Sequence, residues 1–144
     1  MKFAIQILTV AGMLMLLSAS GCGKEDHYQG VPDVPVSFVI DPNSTQYLEI
    51  SHVSGWIYLT GGYNGILVYR PGLNEFVAYD RACPYDYENP DARIEVEASG
   101  TTCVCPVCGS KYIMLDGSPY EGPSRYLLKP YQATYDGNLL YIYN

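Results

Sequence analysis

Five cysteines and two histidines are the residues of this 144-residue chain best suited to metal or redox chemistry. Four of the cysteines fall in two clusters. Cys83 stands in Arg81-Ala82-Cys83-Pro84-Tyr85-Asp86, and the other three in Cys103-Val104-Cys105-Pro106-Val107-Cys108-Gly109-Ser110-Lys111-Tyr112. A Cys-x-x-Cys turn lets two thiolates grip one ion without strain, and two further thiols complete a tetrahedral sulfur set. With His27 and His52 the only imidazoles, a site built on a histidine cluster is excluded. His52 lies far in sequence from both clusters and is expected at or near the surface, not as a ligand. No nucleophile–base pair is visible, so the chain is expected to carry or bind and not to catalyse.

The elements that position these thiols are strands. Val36–Ile40, Tyr47–Ile50, Trp56–Leu59 and Ile66–Tyr69 alternate or run apolar, as do Glu75–Tyr79, Arg93–Glu97, Thr101–Cys105 and Leu139–Tyr143. Turn sequences separate them: Gly61-Gly62-Tyr63-Asn64-Gly65, Pro71-Gly72-Leu73-Asn74, Asp116-Gly117 and Asp136-Gly137. The last, set between Tyr131–Tyr135 and the closing strand, is the strongest hairpin signal. No stretch after the N-terminal apolar run keeps a helical period for three turns, so eight to ten short strands in one small sandwich or barrel are expected. Fifteen tyrosines against three Phe and one Trp fit strands with rings inward and hydroxyls at a wet edge; packing is the expectation over a carbohydrate-binding platform. Eight Lys and Arg against a net charge of −7 give no electrostatic footprint for nucleic acid.

The N-terminus has its own signature. Met1-Lys2 precedes an apolar run from Phe3 to Leu17, too short to span a bilayer and followed by small residues, which is the pattern of an export signal. Ala19-Ser20-Gly21-Cys22 resembles the bacterial lipobox, with Ala19 where Leu is usual. That resemblance implies a signal peptide over 1–21, cleavage before Cys22 and lipidation of its thiol, hence anchoring at a membrane surface. Gly23-Lys24-Glu25-Asp26 is similar to the surface-export signal of Bacteroidetes lipoproteins, which implies an outer-membrane, surface-exposed protein of the cell envelope. Residues 22–34 then form a lipidated tether, and 35–144 the domain.

Two resemblances bear on the thiols. Cys105-Pro106-Val107-Cys108-Gly109 resembles one knuckle of a zinc ribbon, but a ribbon needs a second knuckle and Cys83 has no partner at that spacing. The larger resemblance is to the Rieske iron–sulfur domain, which carries Cys-x-His in one loop and Cys-x-x-His-Gly in another. Cys83-Pro84-Tyr85 occupies the first position and Cys105-Pro106-Val107-Cys108-Gly109 the second. Ser110-Lys111-Tyr112 matches the family's Ser-x-Tyr, and Gly122-Pro123-Ser124 its Gly-Pro-Ala loop. The fold implied is all-β, a Rieske-like small antiparallel sandwich or barrel with two cluster-type loops. Both ligand histidines are replaced, by Tyr85 and Cys108, so the usual two-Cys, two-His set cannot form.

Three states of the site follow. In the first, a modified 2Fe–2S cluster is held by Cys83, Cys105 and Cys108, with Cys103, Tyr85 or Asp86 as fourth ligand, and serves electron transfer. Cys103 is favoured because residues two apart on a strand face the same side. Ser110 and Tyr112 would be the hydroxyl donors that the family uses to tune its cluster. In the second, the same thiols hold one zinc as a staple in a binding or structural module. In the third, no metal binds and the thiols pair; the resemblance implies that Cys83 and Cys105 lie within bonding reach, and Cys105–Cys108 would instead be a redox-active pair. Around the first loop Asp80, Asp86, Glu88, Asp91, Glu95 and Glu97 outnumber Arg81 and Arg93. They are expected to solvate the loop, and a redox partner docking there would present a basic face.

Overall fold

The computed structural model describes residues 30–144; the proposed signal peptide, Cys22 and most of the tether lie outside them. Among the described residues, ten strands form two antiparallel sheets. β1 (Ser37–Ile40), β2 (Trp56–Leu59), β3 (Ile66–Gly72), β4 (Glu75–Asp80), β9 (Pro130–Tyr135) and β10 (Leu140–Tyr143) make a curled six-stranded sheet in the order β1-β10-β9-β4-β3-β2. β5 (Glu95–Val96), β6 (Thr102–Val104), β7 (Lys111–Ile113) and β8 (Pro119–Glu121) make a smaller sheet in that order. Among the described residues no helix is long and apolar enough to cross a membrane.

The unbroken apolar run of β3 has a simple cause, because both of its faces are covered. Ile66 and Val68 enter one core with Val36, Ile40, Ile57, Ala78, Leu140 and Ile142. Leu67 and Tyr69 point the other way, into a second core with Tyr79, Ile94, Met114 and the buried cysteines. The period of two thus makes β3 and β4 the wall between two apolar cores. The β3–β4 register slips between Tyr69 and Gly72, where Pro71 has no N–H to give to the ladder. At the Asp136-Gly137 hairpin the Asp136 carboxylate accepts from the Asn138 and Leu139 N–H groups at 2.9 and 2.7 Å, and Gly137 has φ +98°.

Three expectations change. Tyr47–Ile50 is not a strand but part of a kinked 3₁₀ segment, Thr45–Ile50. Its N–H groups bond three residues back, Tyr47 to Ser44 and Ser51 to Leu48, and the three-residue repeat turns Ile50 into the core while Leu48 and Glu49 stay exposed. The strand expected over Arg93–Glu97 contracts to β5, with Arg93 in an isolated bridge to Ala82. Asp80, counted among loop-solvating acids, is fully buried. Its carboxylate accepts from the N–H of Tyr63, Asn64 and Ala82 at 2.6, 3.2 and 2.8 Å and from the Tyr131 hydroxyl at 2.7 Å. Asp80 therefore pins the 61–65 turn to the end of β4, where the first cysteine loop begins. Gly62 is glycine for the same reason: a Cβ there would lie 2.5 Å from the Tyr131 hydroxyl and 2.6 Å from Asp80 Oδ2.

Candidate metal centre

The first cysteine loop leaves β4 and returns to β5. Cys83 N–H donates to Ala92 O at 2.8 Å and Ile94 N–H to Arg81 O at 2.7 Å, so the loop's two ends pair like a short ladder. Between them Asp86, Asn89 and Ala92 N–H each bond the carbonyl three residues back, a chain of turns that holds Cys83 inward. The second loop joins β6 to β7. Cys105 N–H donates to Ser110 O and Gly109 N–H to Cys105 O, at 2.8 and 2.9 Å, and Gly109 takes φ +74° to close the turn. A third loop covers the second: a Cβ on Gly122 would lie 2.6 Å from Ser110 Cα, and Ser124 N–H donates to Ser110 Oγ at 3.0 Å.

These loops bring three thiols together. The sulfurs of Cys83, Cys105 and Cys108 all lie within 4.8 Å of one another, and Cys83 and Cys108 are 3.5 Å apart. Cys83 and Cys105 are buried, whereas Cys108 is partly open to solvent. All four cysteines of the two loops are free thiols. Ser110 Oγ lies 3.1 Å from the Cys108 sulfur, and the Tyr112 hydroxyl 3.5 Å from that of Cys83.

Cys103 stands outside this group. Its side chain is buried on the same side of the small sheet as Cys105, but its thiol is directed at the Tyr112 carbonyl, 3.9 Å away. Two residues of strand are about 7 Å of travel, so a shared face is not a shared site. Tyr85 is more than half exposed, and the Asp86 carboxylate accepts from Asn89 Nδ2 at 3.3 Å; neither joins the thiols. His52 is exposed on a different part of the fold.

The electrostatics separate the thiols. Burial pushes Cys83 up to about 12, against the opposing hydrogen bonds of the Tyr112 hydroxyl and the Tyr85 N–H. Burial also raises Cys105, although the N–H groups of Cys108 and Val107 act the other way. Cys103 is pushed up to about 12 by burial and then by Glu97. At Cys108 burial is the largest single influence and raises the thiol, but hydrogen bonds from the Ser110 hydroxyl and N–H, with those of Cys105 and Cys83, outweigh it and the net shift is downward. In protein stripped of metal, iodoacetamide near neutral pH should therefore modify Cys108 first. Ser110→Ala should slow that reaction and move its pH midpoint upward, as mass-mapped rates will show. Equal rates at all four thiols would contradict this geometry.

Hydroxyls stand beside two of the sulfurs, Tyr112 at Cys83 and Ser110 at Cys108, a setting that suits thiolates holding a cation. Three mutually close soft donors fit zinc or iron. No family model matches the chain, and no curated protein matches its sequence. Among the solved structures that share the architecture is the ferredoxin of carbazole 1,9a-dioxygenase from Nocardioides aromaticivorans IC177. The alignment has a TM-score of 0.50 and 16% identity, and covers 76% of this chain and 96% of that one. The fold is Rieske-like. At that identity the likeness is one of fold, and the chemistry has to be argued from the three thiols.

Proposed function

We propose that the protein is an electron carrier in which Cys83, Cys105 and Cys108 hold an iron–sulfur centre on a Rieske-like fold. The observation that carries this reading is the convergence of three sulfurs within 4.8 Å in the two cysteine loops. When bound, such a centre takes up and gives back one electron. The chain's own part is to exclude water around Cys83 and Cys105 and to offset thiolate charge through the hydroxyls of Tyr112 and Ser110. The comparison structure is itself a ferredoxin, which supports a carrier over a catalyst. The exposed acids Glu88, Asp91 and Glu95 near the first loop suit a redox partner with a basic face. The lipobox-like Ala19-Ser20-Gly21-Cys22 supports an envelope lipoprotein held by an anchor at Cys22.

A second reading has its own support. Two thiolates on one tetrahedral zinc with bonds of about 2.3 Å stand about 3.8 Å apart, close to the 3.5 Å between Cys83 and Cys108. A binuclear cluster would spread thiolates on opposite irons further. Under that reading the ion staples the two loops and the protein is a binding or structural module. Purification without oxygen, a visible spectrum, and counts of iron, zinc and acid-labile sulfide separate the two. Colour with labile sulfide is the expected result. One colourless zinc per chain selects the staple, and neither metal after reconstitution overturns both.

A further inference from the structure

Apart from the thiols, the molecule has a second built feature, at the outer edge of the six-stranded sheet. A cleft of about 690 Å³ runs along β2, walled by Ser54, Gly55, Trp56, Ile57 and Tyr58 on one side and by the 3₁₀ segment on the other. Its shape is fixed by backbone packing. Gly55 lies directly under the Glu49 carbonyl, where a Cβ would come within 2.0 Å, and Arg70 donates to Ile50 O and Ser51 O at 3.2 and 2.8 Å.

The main chain of β2 decides what the cleft can hold. Arg70 N–H donates to Gly55 O at 3.0 Å, and the register continues Trp56↔Tyr69, Ile57↔Val68, Tyr58↔Leu67 and Leu59↔Ile66. In an antiparallel ladder the hydrogen-bonded pairs alternate. Ile57 and Leu59 therefore turn their N–H and C=O toward β3, as Gly55 does its C=O while its N–H bonds His52 O, and Trp56 and Tyr58 turn theirs outward. β2 is the last strand of its sheet, and among the described residues no backbone bond reaches those outward groups. They form two donor–acceptor pairs about 6.8 Å apart, a spacing repeated by another extended backbone. The aromatic rings are otherwise committed. Tyr58 carries the Arg81 guanidinium 3.5 Å from its centroid and accepts from Val96 N–H at 2.8 Å, and Trp56 is tilted against Tyr58 at 4.9 Å. A sugar stacking on these rings would have to displace them, whereas a peptide strand would not.

We propose that the β2 edge binds an extended polypeptide segment as an added strand, with a lysine or arginine of that segment placed against Glu49. Glu49 lines the cleft, and its exposed carboxylate makes no ion pair or hydrogen bond among the described residues. The chain's net charge of −7 favours a basic segment over a second copy of itself. The strand is apolar and carries no lysine or proline to guard it, so its edge is open to pairing.

Residue-resolved amide exchange on the full chain tests this, with a panel of heptapeptides alternating valine with lysine, serine or glutamate. In the free protein Trp56 and Tyr58 amides should exchange fast, and Ile57 and Leu59 slowly. The lysine peptide should slow Trp56 and Tyr58 by an order of magnitude or more. Its N-methylated form should do nothing, and Glu49→Lys should remove the preference for lysine. The proposal is overturned if no peptide protects Trp56 and Tyr58, or if the glutamate peptide protects them equally. It is overturned as well if both amides are already protected without peptide, since the edge would then be filled by residues 1–29 or by a second copy. None of these outcomes depends on whether the thiols hold iron, zinc or nothing.

Discussion

On the proposed assignment, serine in place of Cys83, Cys105 or Cys108 should abolish metal loading, whereas serine in place of Cys103 should leave it intact. In that assignment each of the three converging sulfurs would supply a bond that no neighbour can replace, because Tyr85 and Asp86 lie outside the group and Cys103 bonds the Tyr112 carbonyl. Loss of an outer hydrogen-bonding partner alone typically weakens a metal site by about 10–100-fold, so loss of a ligand should exceed that. Competition against a chelator, read as metal per chain after dialysis, gives the comparison directly. Cys103→Ser carries a different penalty. It places a hydroxyl in the second core at a cost of about 1–2 kcal/mol, with metal content unchanged. Retention of metal by Cys108→Ser together with its loss in Cys103→Ser would reverse the ligand assignment.

Asp80→Ala should cost about 4 kcal/mol of folding stability, which is large for one substitution. The carboxylate is buried and collects four hydrogen bonds, and its removal strands the Tyr63 and Ala82 N–H groups and the Tyr131 hydroxyl together. Thermal unfolding of the metal-free protein should fall by roughly 15 °C or more. The variant should also load metal poorly, because the first cysteine loop starts at the residue it anchors. Tyr131→Phe provides the control. It removes one of the four bonds and should cost about 1–2 kcal/mol. A loss from Asp80→Ala no larger than that would show that the 61–65 turn holds itself.

The sequence carried the strand architecture wherever side chains pack on both sides of a rule. Ile66–Tyr69 is continuous because β3 divides two cores, and Asp136-Gly137 closes a hairpin because its carboxylate binds the turn's own N–H groups. The two cysteine clusters were equally legible, since their spacing is local. Three things were not. Tyr47–Ile50 is too short for alternation to be told from a three-residue repeat, and the repeat won. β7 and β8, at three residues each, are held by register, β7 with β6 and β8 with β7, and not by any pattern of their own. Asp80 looks like its acidic neighbours until the fold surrounds it, because the donors it satisfies come from residues up to 51 positions away. The same applies to Cys103: sequence parity gives its side of the sheet, and only the Cys103↔Tyr112 register gives its distance from the other thiols.

The wall formed by β3 and β4 gives the protein two levels of resilience. The core of Val36, Ile57, Val68 and Leu140 is closed by the six-stranded sheet, while Cys83, Cys105 and Tyr112 belong to the core under the smaller one. Sub-global opening tends to follow the boundary between packed units, so the small sheet should open at a lower free energy than the larger one. An ion held by the thiols, as proposed, would then enter or leave by a route that never exposes the first core. Its uptake and loss should run at the rate of a local breathing motion, faster than unfolding of the whole chain.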